Sequence, residues 1–130
     1  MNLLLDTHVL IWALMEPARL SQPARQMIED VTHGVYFSAA SIWEIAIKTS
    51  TGRSDTPPAP PPQAVLAGAQ RAGFLQLVVT AQHAAALVDL PHFHRDPFDR
   101  LLVAQARTEP MTLLTRDTTL AKYGDHVRLI

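Results

Sequence analysis

Short β-favouring runs followed at once by segments of helical length recur along this chain, and that alternation restricts the fold more than any other feature. Leu3-Leu4-Leu5 is a buried-strand signal, and residues 7–14 continue without a helix breaker until Pro17. Residues 21–31 read as a second helix, with Ser21 as N-cap, Pro23 in the first turn, and Ala24, Met27, Ile28 and Val31 at helical spacing. Val35-Tyr36-Phe37 is β-favouring, and Ser38 opens a helical run that continues through Lys48. Further along, the pattern predicts a helix over 64–72 ended by Gly73, a strand over 74–79 and a helix over 81–88. A helix from Asp96 to about Thr108, a strand over 112–114, a short helix over 117–122 and a strand over 127–130 complete the chain. This order specifies an α/β fold, with a central, mainly parallel sheet flanked by helices and joined by right-handed crossovers.

At 130 residues the chain suits one core and is short for two, so a single domain over 1–130 is expected. Residues 54–62 carry five of the ten prolines; proline lacks the amide donor and fixes φ, so this stretch reads as a loop. There is no cysteine, which removes disulfide frameworks and thiolate metal sites and makes a cytosolic setting the default. Met1 to Asp6 has no basic segment and meets an acid at its sixth position, unlike a signal peptide, and no apolar stretch reaches the roughly 20 residues of a membrane span. With 11 Lys plus Arg against 12 Asp plus Glu, bulk phosphate neutralisation is not how this chain would hold nucleic acid; any such contact is local.

Four acids stand near starts of helices: Asp6, Glu44, Asp99 and Asp117. Each has a plain structural explanation. Asp6 and Asp117 suit N-caps, Asp96-Pro97-Phe98-Asp99 has the cap, first-turn proline and N3 acid of a good helix start, and Ser41 with Glu44 has capping-box spacing. Their combination says more. In an open parallel sheet the strand-to-helix junctions share one edge, where ligands bind, so acids at four junctions can converge there. Carboxylates gathered that closely repel, and a hard divalent cation with oxygen ligands relieves the repulsion while leaving positions for phosphate. Glu44 is flanked by Ile42, Trp43, Ile45, Ala46 and Ile47, so it is expected to be buried and to need a partner; Lys48 or a metal fills that need, and the metal is preferred. Of the six histidines, His92 and His94 are closest to a metal pattern, but two loop imidazoles at i, i+2 are a weak one and read as surface. No nucleophile-elbow, P-loop or dinucleotide motif occurs.

Taken in order and spacing, four segments resemble the PIN-domain toxins of the VapC type. They are Leu4-Leu5-Asp6-Thr7-His8-Val9-Leu10-Ile11-Trp12, Ser41-Ile42-Trp43-Glu44-Ile45-Ala46-Ile47-Lys48, His94 to Ala106 with Asp96-Pro97-Phe98-Asp99 at its start, and Leu114-Thr115-Arg116-Asp117. The resemblance covers the whole chain. It implies a PIN-like fold and the toxin component of a type II toxin–antitoxin system, an endoribonuclease dependent on Mg²⁺ or Mn²⁺. It also implies a cognate VapB-type antitoxin whose tail covers the acidic groove, and a homodimer. Residue by residue, Asp6, Glu44, Asp99 and Asp117 match the family's four acids as catalytic and metal-binding residues. Asp96 is assigned to helix capping and support of the site, and Thr115 to orienting Asp117 or a metal-bound water. The proline run over 54–62 departs from the more acidic connection usual in such toxins, which bears on the rim of the groove.

In the route this implies, a metal held by Asp6 and Asp99, with Glu44 and Asp117 completing the site, polarises the scissile phosphate and activates water for in-line attack. Arg95, Arg100 and Arg116 flank the acids as candidate phosphate contacts. Two rivals remain: a phosphatase-like domain with Asp6 as nucleophile, and a PIN-like interaction module without catalysis. Thr7-His8 after Asp6 speaks against the first, which wants a second aspartate two residues on; the presence of all four acids speaks against the second.

Overall fold

A computed structural model describes residues 1–51 and 60–130. Five parallel strands, β1 (Asn2–Leu5), β2 (Gly34–Ser38), β3 (Leu75–Leu77), β4 (Thr112–Thr115) and β5 (Val127–Leu129), form one sheet in the order β3-β2-β1-β4-β5. The helices are α1 (Thr7–Met15), α2 (Gln22–Glu29), α3 (Ala39–Ser50), α4 (Pro62–Arg71), α5 (Ala81–Ala85) and α6 (Pro97–Thr108), with 3₁₀ turns at Pro17–Arg19, Ala86–Asp89 and Leu120–Tyr123.

Strand β1 lies at the centre and its three leucines are fully buried, as a strand covered on both faces requires. Successive side chains point to opposite faces, so Leu3 and Leu5 pack with Val9, Leu10, Ile45 and Val65 of α1, α3 and α4. Leu4 turns the other way, onto Leu102, Val103 and Ala106 of α6. Truncating such a leucine to alanine costs about 2–5 kcal/mol.

The chain moves outward from β1 through β2 to β3, then returns to the opposite side of β1 for β4 and β5. The strand order therefore reverses between β1 and β4, where Leu5 pairs with both Phe37 and Leu114. A crevice forms at the carboxyl ends of such strands.

Several local expectations differ from what forms. The mainly parallel sheet forms as expected, with every pairing parallel among the described residues; the differences lie in the ends of elements. Strand β3 stops at Leu77, which pairs with Ser38, the last residue of β2. Helix α2 stops at Glu29, where Asp30 takes the amide and hydroxyl of Thr32, and Val31 is left 96% exposed. The helix expected over 81–88 is α5 followed by a 3₁₀ turn, since Pro91 requires an extended Leu90. That expected over 117–122 is reduced to the turn at Leu120–Tyr123, closed by Gly124 at φ +101°. Pro62 is the first residue of α4, the one helical position where its missing amide costs nothing. Most of the proline-rich loop expected over 54–62 lies outside the described residues.

Candidate functional site

Asp6 follows β1 directly and is nearly buried, with 5% exposure. Its Oδ1 caps α1 by accepting the Val9 amide at 2.8 Å, and its Oδ2 accepts the Thr115 hydroxyl from the end of β4. Burial pushes this carboxyl up; the Thr115 and Val9 hydrogen bonds and His8 work against the rise, and Glu44 adds to it. Thr115 also accepts the amide of Asp117 at 3.0 Å, so one buried hydroxyl orients two of the acids.

Glu44 is not at a strand-to-helix junction. Helix α3 is capped by Ser38, whose hydroxyl accepts the Ala40 amide, and Glu44 enters from the second turn; Ser41 is inside the helix and caps nothing. Its Oε1 accepts the Thr7 hydroxyl at 2.7 Å, and Lys48 Nζ lies 3.3 Å from Oε2. The chain itself therefore supplies the partners that burial demands, and a metal is not needed for that purpose.

Asp99 reaches the same edge from the first turn of α6, which is preceded by a loop and not by a strand. Asp96 caps this helix, its Oδ1 accepting the amides of Phe98 and Asp99 at 2.8 and 3.2 Å. The Asp99 carboxyl is pushed up to about 7, first by burial and then by the charges of Asp96, Asp6 and Glu44, with His94 opposing. Asp96, Asp6 and Glu44 therefore lie near enough to Asp99 for their charges to act on it.

Asp117 follows β4, and its Oδ1 accepts the Thr119 amide at 2.8 Å in a tight turn. Burial works to raise its carboxyl, but hydrogen bonds from His94, Thr119 and Leu120 outweigh it and hold the group below the usual range. His94 Nε2 stands 2.8 Å from Asp117 Oδ2 and 3.4 Å from Asp99 Oδ2. Among the described residues, His94, Asp99 and Asp117 are the three whose donor atoms all lie within 4.8 Å of one another. Asp6 and Glu44 are outside that group of three and meet it through their charges on Asp99.

His94 is the residue that sequence reasoning assigns wrongly. His92 is exposed as expected, but His94 is half-buried and faces the acids. The available signal is its place two residues before the cap Asp96, whose amide donates to His94 Nδ1 at 3.0 Å. With Nδ1 accepting, the neutral ring carries its proton on Nε2 and donates it to the carboxylates. The three arginines also divide. Arg95 is exposed; Arg116 lies over the Trp12 ring at 5.4 Å and reaches Arg19 O; Arg100 turns inward, donating to the carbonyls of Leu87 and Leu90, and is not available to phosphate.

A clustered set of oxygen donors with one carboxyl near neutrality suits a hard divalent cation, because an added positive charge relieves both burial and mutual repulsion. A family model described as PIN domain matches residues 3–125. Ribonuclease VapC22 of Mycobacterium tuberculosis is 36% identical over 125 residues, covering 94% of this chain and 92% of that protein. In fold, the chain is similar to a structure of VapBC2 from Rickettsia felis bound to a promoter DNA fragment, with TM-score 0.70 and 16% identity over 100% of this chain and 98% of that one. It is also similar to a toxin–antitoxin complex from Klebsiella pneumoniae, with TM-score 0.61 and 16% identity over 96% and 94% of the two chains.

Proposed function

The chain belongs to the PIN-domain family, as a VapC-type ribonuclease, and from that premise we propose that it is the toxin of a type II toxin–antitoxin pair, a metal-dependent endoribonuclease that hydrolyses RNA phosphodiester bonds. The observation that carries this reading is the gathering of acids at the β1–β4 switch, where Thr115 joins Asp6 to Asp117 and His94 stands between Asp117 and Asp99, whose carboxyl is pushed up to about 7. Such a gathering discharges its repulsion by binding cations, and a phosphodiester brings its negative charge to the same place.

Asp6, Asp99 and Asp117 would hold a Mg²⁺ or Mn²⁺ ion, with Glu44 buffering the charge. A bound divalent cation supplies Lewis-acid polarisation of the phosphate and acidification of water. The remaining work falls to the chain. Thr115 fixes the rotamer of Asp6 and the backbone of Asp117, Asp96 holds the first turn of α6 and so aims Asp99, and Thr7 ties Glu44 to the start of α1. Exposed Arg95 and Arg116, each adjacent in sequence to the acidic segments, are candidates to contact the RNA backbone.

The resemblance supports a VapB-type antitoxin as partner, with action in the cytosol. It also supports a homodimer, for which exposed Trp43 and Ile47, one turn apart on α3, offer apolar surface. Among the described residues no helix is long and apolar enough to cross a membrane. An aspartyl nucleophile at Asp6 is poorly served, because Thr7-His8 places no second aspartate two residues on.

The test is cleavage of mixed RNA by the purified chain with Mg²⁺ or Mn²⁺, with end analysis of the products. Fragments with 5′-phosphate and 3′-hydroxyl ends are expected; a 2′,3′-cyclic phosphate would contradict hydrolysis by activated water. Asp6→Ala and Asp99→Ala should each lose cleavage and growth inhibition while circular dichroism stays that of the parent. Parental rates in those variants would overturn the site.

A further inference from the structure

We infer that His94 is a positioning residue for Asp117, its Nε2–H holding that carboxylate beside Asp99 and thereby setting the affinity of the cleft for a divalent cation. The inference rests on the metal-site reading above and adds a member that the four acids do not include.

Three observations carry it. First, the direction of the hydrogen bond is decided by the backbone: Asp96 donates its amide to Nδ1 at 3.0 Å, so the neutral ring has its proton on Nε2 and is a donor toward Asp117. A nitrogen that carries a proton does not ligate a cation, so His94 acts on the acids and not on the ion. Second, the other restraints on the Asp117 carboxylate come from the backbone of its own turn, at Thr119 and Leu120. Its side chain is 36% exposed, Oδ1 is held by Thr119, and His94 Nε2 is what lies against Oδ2. Without the imidazole, Oδ2 loses the contact that joins it to Asp99. Third, the loop that presents His94 is anchored independently of the imidazole. Tyr123 accepts the His94 amide at 3.1 Å, donates to Pro91 O at 2.8 Å, and packs its ring against Phe93 at 5.2 Å between centroids. Removing the ring therefore takes away the donor to Asp117, together with the acceptor of the Asp96 amide, without releasing the loop.

Hydrogen-bond partners of metal ligands typically change metal affinity about 10- to 100-fold when lost. The experiment is direct Mn²⁺ binding to the full chain, by calorimetry and by electron paramagnetic resonance, for the parent, His94→Ala, His94→Gln and Asp99→Asn. His94→Ala should bind Mn²⁺ about 10- to 100-fold more weakly, His94→Gln, which keeps an N–H donor, should recover most of that loss, and bound Mn²⁺ in the parent should show no nitrogen coupling. Should the alanine variant not fold, His94→Phe, which fills the space without a donor, should show the same loss. Unchanged binding in His94→Ala or His94→Phe while Asp99→Asn loses it would overturn the role of His94 alone, as would nitrogen coupling in the parent. Unchanged binding in Asp99→Asn would instead overturn the metal site itself.

Discussion

A carboxyl whose folded-state value lies far above its ordinary one makes the fold less stable as pH rises, and Asp99 is such a group. Its value moves from 3.8 to about 7 through burial first and then the charges of Asp96, Asp6 and Glu44. The native state therefore binds more protons than the unfolded chain between about pH 4 and pH 7. Stability from the neutral form is fully present below about pH 4, declines through that window, and is gone above about pH 7. The limiting slope is about 1.4 kcal/mol per pH unit, and screening at this partly open position reduces the total to roughly 1–2 kcal/mol. An asparagine in its place has nothing to ionise. In chelator, Asp99→Asn should be more stable than the parent by that amount at pH 8, and the difference should close by pH 4, as read by urea unfolding. A gap that does not change with pH would show that Asp99 is not held in this environment.

The elements that sequence makes legible are those with their own local signals. Strands β1, β2 and β4 have apolar runs, and α1, α2 and α6 have caps at Asp6, Ser21 and Asp96 that the structure uses. What is not legible depends on distant partners. Residues 117–122 look like a capped helix, yet Thr118 and Thr119 are β-branched, Asp117 bonds the amide of Thr119, and Gly124 closes the segment before an α-helical turn is complete. The junction rule is likewise half right. Asp6 and Asp117 stand where strands end, whereas Glu44 arrives from the second turn of α3 and Asp99 from the first turn of α6. His94 faces the acids with its loop pinned by Tyr123, distant in sequence, and its Nδ1 held by the Asp96 amide. The joint between β1 and β4 is a matter of elements and can be tested there. Thr115 is fully buried, donates to Asp6 and accepts from the Asp117 amide. Thr115→Val leaves buried polar groups unpaired and should cost about 1–3 kcal/mol in unfolding free energy, with cleavage falling as Asp6 loses its orientation. Thr115→Ser should restore both, and a valine variant as stable and active as the parent would show that the joint does not matter.

Over the whole molecule, the sheet brings the acids to one edge while the net charge is only −1, so the charge problem is local to the cleft. A cation that enters must compete there with the proton on Asp99, whose value is about 7. Near pH 8 the carboxylate is already ionised and binding is unhindered; at pH 6 a proton must leave, which weakens apparent affinity about tenfold for a one-proton exchange. At a cation concentration about 100 times the pH 8 dissociation constant, binding stabilises the fold by about 2.7 kcal/mol at pH 8 and by roughly half that at pH 6. For a domain of this size each kcal/mol moves the melting temperature by about 2–8 °C. The melting shift produced by Mn²⁺ should therefore be about twice as large at pH 8 as at pH 6, each taken against the chelated protein at the same pH. In Asp99→Asn the shift should be small at both. Equal shifts in the parent at the two pH values would separate Asp99 from the cation.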